Sequence, residues 1–167
     1  MHPQIPGVGY EMKGQAPEAP LLANLMRDRQ DEIASAWAEQ IRRLPDSRYA
    51  TYAQDEVLAW VSHGVAAAIE TLSTGSYQPA EAYLREISLT RLQMGFDISE
   101  VTEALLLFKE AALPVIEQAR QDGSLEYAAA SAVLDRYLRF VVSRFGHLYA
   151  QAMEKELRES EERFRTL

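Results

Sequence analysis

From Leu21 onward the apolar residues recur with the 3.6-residue period of an α-helix. Leu22, Leu25, Met26, Ile33, Trp37 and Ile41 fall on one stripe that ends near Pro45, which predicts a first helix. Leu58, Val61, Val65, Ile69 and Leu72 repeat the pattern from Asp55 to Leu72, and Thr74-Gly75-Ser76 supplies the stop of a second helix. Pro79 suits the opening turn of a third, where its missing N–H costs nothing. Leu84, Ile87 and Leu92 mark the buried side of that helix, and Gly95 its end. Asp97-Ile98-Ser99-Glu100 reads as a capping box in front of Val101, Ala104, Leu105 and Phe108. This fourth helix is expected to kink at Pro114 and to stop at Asp122-Gly123. Ser124 is the expected cap of a fifth helix, which meets no breaker except Gly146 before Leu167 and would be about 60 Å long.

No segment alternates apolar and polar residues between turn signals, so the predicted fold class is all-α. Five helices with short connections suit an antiparallel bundle or a globin-like packing, and periodicity does not choose between them. Residues 1–20 contain Pro3, Pro6, Pro17 and Pro20 with Gly7, Gly9 and Gly14, a composition read as a flexible tail. The helical domain is then expected over residues 21–152.

The last helix carries a second pattern. Leu134, Leu138, Val141, Phe145, Leu148 and Ala152 are separated alternately by four and three residues, the spacing of a heptad seam. Such a seam fits a partner helix in a homodimer and equally fits packing on the domain's own core. Beyond Ala152 charge dominates, and Met153, Leu157 and Phe164 keep only a sparse apolar stripe. Residues 153–167 are therefore expected to leave the core as a coiled-coil connector, making the last helix a signalling helix.

Composition narrows the chemistry. A net charge of -8 over 167 residues disfavours a phosphate-binding face, so nucleic acid is not an expected partner. The chain has no cysteine, which removes disulfides, thiolate nucleophiles and cysteine zinc sites and fits a cytoplasmic setting. Its apolar runs fall far short of the roughly 20 residues that span a bilayer, and MHPQIPGVGY lacks the layout of a secretory signal. No phosphate loop, nucleophile elbow or His-x-x-x-His pair occurs, so neither catalysis nor a bound metal is expected of this segment.

Two stretches carry a family resemblance. Glu154 to Leu167, with its ESEERFR core at residues 159–165, resembles the coiled-coil linker and opening turn that precede PAS domains in bacterial sensor histidine kinases. Residues 25–37, LMRDRQDEIASAW, and 91–101, RLQMGFDISEV, resemble the N-terminal helical sensory domain of RsbR/RsbRD-type stress regulators. The resemblance implies a ligand- or partner-responsive input domain of a two-component signalling protein, with PAS and kinase parts downstream. It also implies a globin-like fold without bound haem.

The candidate residues follow from this picture. Dimerisation and signal transmission are assigned to Leu134, Leu138, Val141, Phe145, Leu148 and Ala152. Trp37, Trp60, Phe108, Tyr137 and Phe140 are candidates for lining a small-molecule pocket, although helical spacing also explains each as core. His63 and His147 are the candidate ligands if the domain is instead a haem-binding gas sensor. Neither is followed by the acidic residue usual after a phosphoacceptor histidine. No cofactor is expected on the leading reading, and a scaffold that binds a partner protein without a small ligand is the third.

Overall fold

The computed structural model describes residues 17–165. It is all-helical: α1 (Glu18–Asp28), α2 (Gln30–Arg42), a 3₁₀ turn (Arg48–Thr51), α3 (Gln54–Thr74), α4 (Gln78–Gln93), α5 (Ile98–Gln121) and α6 (Tyr127–Arg165). No strand forms among the described residues. The pairs α2–α3, α5–α6, α4–α6 and α1–α3 make the main contacts, so the helices close a bundle around one core. No helix among the described residues is long and apolar enough to cross a membrane.

The expected first helix is two. Arg29 sits at φ -123° and ψ 30°, outside the helical region, and separates α1 from α2. Its side chain is tied forward to Glu32 through two contacts of 2.7 Å, which replace part of what the interrupted ladder loses. The break has a tertiary cause: α1 packs on α3, α5 and α6, whereas α2 packs on α3 and α5. A straight rod could not lay both faces down. The structure also starts α1 at Glu18, so residues 18–20 of the expected tail are helical, with Pro20 tolerated in the first turn. The rest of that tail, residues 1–16, lies outside the described residues.

Most punctuation is as the sequence predicts. Gly75, Gly95 and Gly123 all adopt positive φ, and Gly75 ends α3 with its N–H donating to the Thr71 carbonyl at 3.0 Å. The capping box at Asp97 is present, and its Glu100 carboxylate also accepts from the Arg48 N–H at 2.6 Å, pinning the 3₁₀ turn to α5. Helix α5 continues through Pro114. One cap differs: Glu126, rather than Ser124, accepts from the free N–H groups of Ala128 and Ala129 at the start of α6. Ser124 instead closes α5, its N–H donating to the Ala119 carbonyl at 3.0 Å.

Trp37 stands at the centre of the core. Its indole N–H donates to the Ala104 carbonyl at 2.7 Å, and its ring meets Phe108 edge-on at 5.0 Å. The ring lies so close to α3 that a Cβ on Gly64 would come within 2.8 Å of it. Gly64 is therefore a close-approach glycine.

Candidate functional site

Helix α6 holds the clearest division of labour in the molecule. Ala130, Val133, Leu134, Tyr137, Leu138, Val141, Phe145, Leu148 and Tyr149 are buried, after which the side chains turn to solvent. Five of the six residues assigned to dimerisation, Leu134, Leu138, Val141, Phe145 and Leu148, thus sit in the chain's own core, and Ala152 lies at its edge. The seam is filled by α4 and α5.

Where the helix leaves the bundle it is fastened twice. Arg144 reaches α4 and makes a two-pronged pair with Glu81 at 2.7 Å on each oxygen, and Arg85 adds a contact of 2.9 Å to the same carboxylate. Glu81 is buried, so the geometry meets the requirement that a buried carboxylate be paired and hydrogen-bonded. One turn further on, the Tyr149 hydroxyl donates to the Phe96 carbonyl at 2.5 Å, joining α6 to the turn before α5. Beyond these anchors Met153, Leu157 and Phe164 are 51%, 61% and 76% exposed. Met153 and Leu157 join Leu92 of α4 in lining an open groove of about 480 Å³.

The five aromatic residues proposed as one pocket are divided among three places. Trp37, Phe108 and Tyr137 form a chain of edge contacts inside the core. Phe140 stacks on Tyr77 at 3.9 Å and borders a groove on α6 that also carries Arg136, Arg139 and His147. Trp60 belongs to a separate group with Tyr49, Tyr52 and Phe96. His147 and His63 are both exposed, on α6 and α3.

The group around Trp60 also contains Arg91, the first residue of the 91–101 stretch. Arg91 is only 6% exposed, and its guanidinium lies 4.4 Å from the centre of the Trp60 ring. Its Nε donates to the Tyr49 hydroxyl at 3.2 Å, while Nη1 reaches Thr90 and the Met94 sulfur. No carboxylate lies within ion-pair distance of it among the described residues. Burial raises the Tyr49 hydroxyl above the ordinary range despite the opposing Arg91 charge, and burial does the same to Tyr83. Both phenols stay protonated. The signal was present in the sequence: Arg91 lies four residues after Ile87 and seven after Leu84, on the core-facing stripe of α4.

Trp60 and Arg91, with Tyr83 and Ile87, separate two spaces. On the inside is a void of about 10 Å³; on the outside, between α3 and α4, is a cavity of about 190 Å³ with His63 and Glu86 at its border.

The fold is thus that of a helical bundle that buries the first part of its last helix and projects the remainder. The chain belongs to the family of the RsbT co-antagonist protein rsbRD N-terminal domain, whose model matches residues 31–164. Neither the curated proteins nor the solved structures hold a significant match to it.

Proposed function

We propose that this chain is the sensory input domain of a bacterial sensor histidine kinase, and that α6 is its output. The observation that carries the reading is the continuity of α6: one helix of 39 residues runs from the centre of the core to Arg165, past its last buried residue at Tyr149. A rigid helix embedded in a bundle at one end and projecting beyond its core at the other converts repacking of the bundle into displacement of its tip. The resemblance of residues 159–165 to a PAS entry motif supports a PAS domain as the receiver.

The output is a homodimer through the distal stripe. Met153, Leu157, Ser160 and Phe164 follow one another at intervals of four, three and four residues, the spacing of a two-stranded coiled coil. Their exposure supports a second copy of α6 as the partner, since the seam at Leu134 to Leu148 is already filled. A signal transmitted this way requires a ligand or partner whose affinity differs between two packings of the bundle against α6. The exposed positions of His63 and His147 support a haem-free domain, because a haem ligand needs an imidazole directed into an apolar pocket.

Cysteine scanning tests the interface, and the chain provides a clean background because it has no cysteine. Leu157→Cys is expected to form an intermolecular disulfide under mild oxidation, and Leu138→Cys is not. Cross-linking at Leu138 with none at Leu157 would move the interface back to the buried seam and overturn this reading.

A further inference from the structure

We infer that the cavity between α3 and α4 is a binding site for a small organic carboxylate, with Arg91 as its charge partner. The inference rests on the input-domain reading and names the class of ligand that such a domain would sense. A guanidinium taken out of water and given only neutral partners is an incomplete electrostatic arrangement, because rings and hydroxyls stabilise a cation without neutralising it. Arg91 is in that position: Trp60 supplies a ring face, Tyr49, Thr90 and Met94 supply neutral acceptors, and no carboxylate among the described residues is in ion-pair reach. The protein therefore holds a preorganised cation at the wall of a cavity.

The other walls define what fits. Tyr83 lines the cavity with its ring, while its hydroxyl lies against Gly64 and Trp37 on the core side. Trp60 offers an aromatic surface to an apolar ligand body, and Ile87 an aliphatic one from α4. A volume of about 190 Å³ equals about six waters at roughly 30 Å³ each, which suits a small aromatic or branched acid. Glu86, at the rim, repels a second carboxylate and disfavours diacids. The site also lies where occupancy would matter, because α4 packs directly on α6 and carries both Glu81 and Arg91.

The inference is tested by titrating the purified full chain with benzoate, followed by calorimetry and tryptophan fluorescence, with benzamide as the neutral match. Benzoate is expected to bind saturably and benzamide at least tenfold more weakly, about the discrimination expected for a charge-assisted contact. Glu86→Gln, which removes the negative charge at the rim, is expected to tighten benzoate about threefold. Arg91→Met is expected to abolish binding, and Glu86→Gln keeps the test decisive if that variant does not fold. No saturation by about 10 mM benzoate, equal binding of benzamide, or an affinity that ignores Glu86→Gln and falls with Arg139→Ala would overturn the assignment. Cross-linking of Leu157→Cys separates the two readings: binding that leaves it unchanged sinks the sensory coupling and keeps the site. Cross-linking without any benzoate binding does the reverse.

Discussion

The two parts of α6 carry the same kind of pattern and meet opposite fates. From Leu134 to Leu148 the four-and-three spacing is buried within the bundle, and from Met153 to Phe164 the same spacing is open to solvent. The phase differs as well. The first seam would continue from Leu148 to Ala152, whereas the second begins at Met153, one residue and about 100° further around the helix. The domain's own core and a partner helix can therefore use different sides of one rod. A heptad repeat identifies a face that wants covering; what covers it depends on the rest of the chain.

The sharpest way to break the comparison is to truncate a large apolar side chain in each part, starting with the buried one. Phe145 is fully buried, and Phe145→Ala is expected to destabilise the fold by about 3–5 kcal/mol through lost burial and the cavity left behind. Urea unfolding measures it. A loss below about 1 kcal/mol would mean that the first seam is not core.

The junction between the parts comes next. Arg144→Leu removes the two-pronged partner of the buried Glu81 carboxylate and leaves the contact from Arg85, which is itself largely exposed. Breaking a buried pair costs about 3–5 kcal/mol; with Arg144 itself a quarter exposed and Arg85 remaining, about 2 kcal/mol is expected here. The same variant should loosen α6 from α4, seen as faster amide exchange over residues 141–152 than over 130–140. Uniform exchange along the helix would argue that Glu81 and Arg144 hold nothing locally.

How much of this was legible in sequence divides along the same physical line. Helix positions and most caps were readable, because periodicity and the glycines at 75, 95 and 123 are local signals. The break at Arg29 was not, because the residue carries no breaker chemistry and the bend answers to the surfaces beneath α1 and α2. The cap at Glu126 was missed for a related reason: Ser124 is the better capping residue intrinsically, but the end of α5 had already engaged it. The pocket residues were chosen for aromaticity alone, which cannot tell the core chain at Trp37 from the Arg91 group at Trp60. Arg91 was visible as a charge on an apolar stripe. Its lack of a counter-charge was not, since that depends on which helices surround α4.

Glu100 offers a smaller effect with a pH signature. Burial opposes its ionisation, but the N–H groups of Arg48 and Asp97 outweigh burial and hold its carboxyl below the ordinary 4.5. A depressed folded value contributes stability above pH 4.5 and loses it as pH falls through the folded value. Glu100→Gln is expected to cost about 1 kcal/mol at pH 7, much of it screened because the group is partly exposed. The difference from the unaltered chain should shrink as pH falls below 4.5. A difference that stays constant into acid would locate the effect in packing and not in the carboxylate.

The smallest expected effect on folding bears most directly on the comparison. Leu157 is 61% exposed and touches little of its own chain, so Leu157→Ala is expected to change unfolding free energy by less than about 0.5 kcal/mol at a concentration where the protein is monomeric. In the proposed dimer the same side chain is a central apolar contact of a short coiled coil, and its removal should weaken association about tenfold or more. Sedimentation over a concentration series measures the second quantity, and urea unfolding of the dilute protein measures the first. A variant with altered monomer stability would show that residues beyond Tyr149 still belong to the core. Unaltered stability with unaltered association would leave the distal stripe without a partner, and the two parts of α6 would then differ only in exposure.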